Sequence, residues 1–289
     1  MYLPLQFSYH IQNFSRFQSG VITLVLSYMV NFICPGTYSL VLLLIPICLC
    51  MNTLLYEKNP SVAELLIFML MTVVFIGVSM SICLHRYFSH KAFETSRPMQ
   101  SILALISCFS FQDNLLWWAV MHFQYHKYCD TVRNPHSVTH NGFYYAFIRW
   151  MINPRNYDLQ TADYDCLVPG LMVPEIRMLA RLHMLPPLTT CFLVSMYFFN
   201  STVLFALLLP MVACKIITFL FNVEYHPINT QSNTCKAVDN NRFLAQLVGE
   251  SKYKDHHSHP GRARQPDWDL PYLLVLRPLE RVGIIWNLK

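Results

Sequence analysis

Charge is what this chain has least of. Only 13% of its 289 residues are Asp, Glu, Lys or Arg, against roughly 25% in an ordinary soluble domain. Hydrophobic residues make up 54%, and the mean hydropathy is +0.33. A soluble fold with a fully solvated surface is therefore excluded as the simplest class. Other signals are missing too. No Cys-x-x-Cys pair, internal repeat or low-complexity linker occurs. The ten cysteines, Cys48, Cys50, Cys83, Cys108, Cys191 and Cys214 among them, mostly lie in or beside apolar runs. They read as small buried hydrophobes rather than a disulfide framework. The first twenty residues lack the basic start, apolar stretch and small-residue cleavage site of a secretory signal.

What is present is a set of long uncharged runs. Leu65 to Leu84 is uncharged throughout, long enough to cross a hydrocarbon layer of roughly 30 Å as a helix. Thr37 to Leu55 is a second such run, and Met184 to Cys214 a longer one interrupted at Asn200-Ser201. The expectation is an all-α integral membrane protein with four transmembrane helices arranged as two hairpins. The spans fall at about 37–55, 62–84, 184–200 and 202–222. A helical cytosolic cap comprises 85–183 and 223–289, all within one domain, 37–289. The segment 1–36 precedes it, and its apolar stretch Val21 to Ile33 extends the first span, re-enters, or lies in the interface. Nearly all Lys and Arg fall between the second and third spans or after the fourth, which directs both polar segments to the cytosol. The net charge of +5 is accounted for in this way and calls for no nucleic-acid partner. Lys215, inside the fourth run, is expected to snorkel towards the interface.

The chemistry lies in the histidines. Eight of the twelve fall in four groups bordering the apolar runs: His85 and His90; His122 and His126; His226; and His256, His257 and His259. A spacing of four leaves only about 40° between His122 and His126 on a helix. A spacing of five puts His85 and His90 about 140° apart, so His85 is expected to end its helix and His90 to turn back. Several neutral imidazoles around one metal suit iron, zinc or copper and can support oxygen chemistry.

The stretch His85-Arg-Tyr-Phe-Ser-His90-Lys-Ala-Phe resembles the first histidine box of the membrane acyl-CoA desaturases of the stearoyl-CoA (delta-9) type. Phe111-Gln-Asp-Asn and Trp117-Trp118-Ala before His122 are similar to that family, as are Lys127-Tyr-Cys-Asp-Thr, Asn134-Pro-His136-Ser, Gly142-Phe-Tyr-Tyr-Ala, Trp150, Gly249-Glu250 and Pro260-Gly-Arg-Ala-Arg264. The resemblance runs from about Ser61 to Lys289. It implies two irons held by histidines, with one asparagine acting through water, and removal of two hydrogens from an acyl chain in an apolar tunnel using O₂. Electrons come from a cytochrome b5 or ferredoxin-type donor, expected to be a separate protein because the chain ends soon after the third box. By position, the implied ligands are His85, His90, His122, His126, Asn222, His226, His256 and His257. The implied partners are an acyl lipid, the bilayer and the electron donor. Endoplasmic reticulum and bacterial inner membrane are not separated by any terminal signal.

Two departures stand out. Tyr125 and Tyr253 occupy positions where the family has histidine, both on the implied second iron. They ligate a modified site, or merely fill space and leave one metal; His259 is a third candidate, set against a plain surface histidine. His136 and His140 are further candidates. The family's charges around the second box are replaced by Val120, Met121 and Phe123, which weakens the case for a coenzyme A head and admits a lipid-linked chain. The principal expectation is a fatty acyl desaturase. The alternative is a non-enzymatic relative that binds acyl lipid or a membrane partner.

Overall fold

The computed structural model describes residues 59–134, 136–157, 171–198, 200–228, 235–266 and 268–289. The expected first span at 37–55 and the segment 1–36 lie outside them.

The chain enters helix α1 (Val62–Ser89, 28 residues) through a reciprocal cap. The Glu64 amide donates to Ser61 Oγ (3.2 Å) and the Ser61 amide to the Glu64 carboxylate (2.8 Å), so two end donors are satisfied at once. The outward face of α1 stays apolar, with Val62, Leu66 and Leu70 each more than half exposed (73%, 57% and 63%). Such a face suits lipid and not water. From Phe75 the helix winds in π register to Ser89. There, each amide reaches back five residues instead of four.

A second long helix, α6 (Ser201–Glu224), is also long and apolar enough to cross a membrane. Between them lie α2 (Arg97–Ser110) and α3 (Leu115–Lys127), which together are apolar enough for one span but meet at a 78° bend. The break is built by Phe111 and Asp113 at φ 56° and 74° and by Asn114. Its side-chain oxygen accepts from the Leu116 and Trp117 amides at 2.9 and 3.3 Å, an N-cap that restarts the helix. Beyond these, α4 (Pro174–Arg181) leads into α5 (Leu185–Ser195), an apolar helix of 11 residues. That is fewer than the roughly 20 a bilayer crossing needs. Short helices α7 (Phe243–Leu247) and α8 (Tyr253–Ser258) follow α6. The described chain is thus mostly helical, with two or three candidate membrane-spanning helices.

Three local expectations are corrected. First, α1 does not stop at Leu84. It continues through His85, and the His90 amide donates to the His85 carbonyl at 3.1 Å. A five-residue repeat brings both side chains to one side, as an α-helical repeat would not. Second, Lys215 does not snorkel. It is 1% exposed, with its ammonium 5.9 Å from the Phe219 ring, because α6 is enclosed by protein at that depth. Third, Cys129 and Cys235 are not inert core residues. They form a disulfide across 106 residues of sequence, and Cys235 is exposed. The free cysteines Cys83, Cys108, Cys191 and Cys214 are buried.

The distant C-terminal segment is tied to the end of α1 by a buried ion pair. Arg86 donates from both terminal nitrogens to Asp269, at 3.0 and 2.9 Å, and to the Ala263 carbonyl at 2.8 Å. A two-stranded antiparallel pair, β1 (Glu94–Thr95) with β2 (Ile285–Trp286), closes the same end. Gly249 sits against the ion pair at φ +71°, where a Cβ would come within 2.5 Å of Arg86 Nη2 and 2.6 Å of Asp269 Oδ1. Gly249→Ala should therefore destabilise the fold by at least about 2 kcal/mol, from strain and overpacking together. The expected readout is a lower melting temperature of the detergent-solubilised protein. An unchanged midpoint would contradict the close approach.

Candidate metal centre

Five imidazoles converge at the C-terminal end of α1. His85 and His90 come from its last turn, His122 and His126 from the last turns of α3, and His256 from α8. One ring nitrogen of each lies within 4.8 Å of the others. The contacts run nitrogen to nitrogen: His85 Nε2 to His256 Nε2 at 3.0 Å, His90 to His122 at 2.9 Å, His122 to His126 at 3.1 Å, and His126 to His256 at 3.2 Å.

The burial and spacing of these rings have a direct electrostatic consequence. Burial pushes the His256 imidazole well below its ordinary pKa, reinforced by His85, His90, His126 and His257. His90 shifts the same way, chiefly by burial and then by His85, His122, His126 and His257. His122 and His126 shift likewise, so the rings of His90, His122, His126 and His256 are neutral, with lone pairs available. Neighbouring ligand nitrogens around a metal at about 2.1 Å stand about 3.0 Å apart when their bonds are at right angles. The observed spacing matches that edge. The donor set therefore fits a borderline transition metal such as iron.

The ring orientations are imposed from behind. His85 Nδ1 lies 3.0 Å from Glu250 Oε1, which also accepts from Ser81 Oγ at 2.6 Å. A carboxylate in this place fixes the tautomer and turns Nε2 inward. Burial alone would raise the Glu250 carboxyl. The charge and hydrogen bond of His85, the Arg86 guanidinium and the Ser81 hydroxyl outweigh it, and the group is held below its ordinary range. Trp118 stacks on His122 at 4.8 Å, with the rings 5° from parallel.

The remaining expected residues fall on a second side. His257 stacks on His126 at 4.2 Å, and His226 lies 5.1 Å from His257, ring centre to ring centre. Tyr125 and Tyr253 are buried between these rings, and Tyr253 Oη donates to Tyr125 Oη at 3.0 Å. The Nε2 atoms of His226 and His257 are buried without a hydrogen-bond partner. Burial, with His226 as a lesser cause, lowers His257 to about 3 against the pull of Asp130. His226 Nδ1 lies 3.1 Å from Asp130 Oδ1. Asn222 borders a small cavity with His85, Trp118, His122, Glu250 and Tyr253.

The structure does not bring every candidate in. His259 pairs with Asp255 at 3.3 Å with its side chain 57% exposed. His136 packs on Trp150 at 4.0 Å, and burial lowers it to about 3. His140 is exposed, with Nε2 3.1 Å from the Asp130 carbonyl. Sequence reasoning missed the roles of Glu250, Ser81 and Asp130. Glu250 and Asp130 both stood inside noticed motifs, but nothing in one sequence pairs them with rings 165 and 96 residues away.

Comparison with known proteins shows the family to which the chain belongs. The family model described as fatty acid desaturase matches residues 62–281. A probable chloroplastic lipid desaturase of Arabidopsis thaliana is 28% identical over 221 residues, covering 74% of this chain and 60% of that protein. Acyl-CoA desaturase 1 of Saccharomyces cerevisiae is 26% identical over 227 residues, covering 74% of this chain and 44% of the relative. A delta-9 fatty acid desaturase of Caenorhabditis elegans is 24% identical, covering 78% and 70%. The chain thus spans 60% and 44% of the length of the first two relatives.

Glu250→Gln keeps the shape of the site but removes the charge behind His85. Affinity for a divalent metal should fall about 10–100-fold, measured by competition with a chromophoric chelator. Unchanged affinity would mean that Glu250 does not orient the ring.

Proposed function

This chain belongs to the fatty acid desaturase family, and from that premise we propose that it is an O₂-dependent desaturase of membrane acyl lipids. The observation that carries this is the convergence of five imidazole nitrogens at metal-ligand spacing. The overall reaction converts a –CH₂–CH₂– unit of the acyl chain to –CH=CH–. O₂ takes two electrons and two protons from the chain and two of each from a donor and solvent, giving two waters. A cytochrome b5 or ferredoxin-type protein is the proposed donor. Bound iron supplies the activation of O₂.

The protein's own part is positional. His85, His90, His122, His126 and His256 hold the first metal. The resemblance implies a second iron, for which His226, His257 and Asn222 remain, with Tyr125 and Tyr253 in place of two imidazoles. The small cavity between Trp118, Phe221 and Asn222 lies beside His85 and His122, where an acyl segment would have to reach. Val120 and Met121 are buried and Phe123 is half-exposed; none offers a charge for a coenzyme A phosphate. This supports an acyl lipid as substrate over a coenzyme A thioester.

We further propose four spans, 37–55, 62–84, 184–200 and 202–222, within a domain 37–289, the third crossing only in part as helix α5. The cap segments face the cytosol from the endoplasmic reticulum or a bacterial inner membrane. The distribution of Lys and Arg supports this orientation.

The test is lipid analysis of cells expressing the chain together with a compatible electron donor, against a His122→Ala control. New double bonds in membrane acyl chains, abolished by the substitution, are expected. A well-folded, iron-loaded protein that yields none with either donor class would contradict the proposal.

A further inference from the structure

The side of the centre where Tyr125 and Tyr253 stand in place of two expected histidines carries two sulfurs. Cys129, at the end of α3, and Cys235 lie against His226 and Asp130, and one ligand atom from each of these four residues falls within 4.8 Å of the others. Cys129 Sγ is 3.7 Å from His226 Nδ1, and that nitrogen is 3.1 Å from Asp130 Oδ1. The second Asp130 oxygen accepts from the Lys236 amide at 2.7 Å. Cys235 Sγ is also 3.4 Å from His257 Nδ1.

We propose that Cys129, Cys235, His226 and Asp130 form a site for a thiophilic divalent ion of the zinc class, open to metal only when the two cysteines are reduced. The inference deepens the proposed second metal position and rests on the proposed cytosolic orientation of the cap. Disulfides do not persist in the cytosol, where thiol reductants dominate. Reduction of the pair takes two electrons and two protons from such a thiol reductant and yields two thiols. Each thiol releases its proton as it binds the metal. The geometry needs little change. A tetrahedron with zinc–sulfur bonds of about 2.3 Å and zinc–nitrogen bonds of about 2.0–2.1 Å has sulfur–nitrogen edges of about 3.5 Å, close to the contact already present. The Cα atoms of the two cysteines are 5.1 Å apart. Side-chain rotation then carries the sulfurs from a shared bond to two corners about 3.8 Å apart.

Two thiolates, an imidazole and a carboxylate form a softer set than the five imidazoles, and softness sorts metals between sites. The exposed Cys235 provides the entry path. With His226 engaged through Nδ1, its Nε2 carries the proton, and the ring lies 5.2 Å from that of Tyr125 and 5.8 Å from that of Tyr253, centre to centre.

The experiment uses the full chain purified in detergent with a phosphine reductant and analysed for zinc and iron, beside Cys129→Ser and Cys235→Ser variants of confirmed monodispersity. About one zinc per chain is expected, falling more than about tenfold in either variant while iron is unchanged. Cobalt added to the reduced wild-type protein should give a thiolate-to-metal charge-transfer band, absent after oxidation. Three results would overturn the inference: no zinc and no cobalt band in the reduced protein, zinc unaffected by both substitutions, or two irons per chain without zinc. Zinc bound without iron would keep this site and remove the iron-dependent desaturase reading instead.

Discussion

The constraint on which this structure depends is that five imidazoles must point their nitrogens at one another. At 2.9–3.2 Å these nitrogens lie at hydrogen-bond distance, where each contact needs one ring to donate, whereas a bound metal takes every lone pair at once. Desolvation keeps His90, His122, His126 and His256 neutral, and the fold must supply the force that holds the rings together. Burying a polar group without a partner costs roughly 1–3 kcal/mol, and His256 Nδ1 is such a group, so the arrangement needs rigid surroundings or a bound metal.

That rigidity comes from three devices, each serving one histidine segment. The π register at the end of α1 aligns His85 with His90. The left-handed break at Phe111 to Asp113, capped by Asn114, lets an apolar segment turn by 78° and deliver His122 and His126. The Arg86–Asp269 pair and Gly249 lock the segment leading to Glu250 and α8 against α1. A buried pair of this kind is weak evidence for stability, yet losing one partner costs about 3–5 kcal/mol. It acts as a register pin between parts of the chain about 180 residues apart. The side bearing His226 and His257 is built differently, from tyrosines, Asp130 and two cysteines, and the two sides are suited to different metals.

Much of this was legible in the residues, and what was not has physical causes. Uncharged runs marked α1 and α6, and the four-residue spacing of His122 and His126 holds in the structure because α3 is a regular helix. The spacing of His85 and His90 misled, because a π register is a tertiary adjustment with no local composition of its own. Lys215 misled because burial of α6 is set by its neighbours and not by its own apolar run. Cys129 and Cys235, with Asp130 and His226, were invisible as a group because single-sequence patterns do not report contacts between distant segments. Phe111-Gln-Asp-Asn was noticed as a motif, but its physical meaning, a left-handed turn and a helix cap, emerged only in three dimensions.

The central claim is that the five-histidine nest binds iron. The most direct measurement is iron per chain in protein purified from iron-replete cells, beside a His85→Ala variant shown to be folded. The account predicts at least about one iron in the parent chain and a loss of the nest iron, by more than about tenfold in affinity, when His85 is removed. A folded parent chain without iron, or iron indifferent to His85, would contradict it.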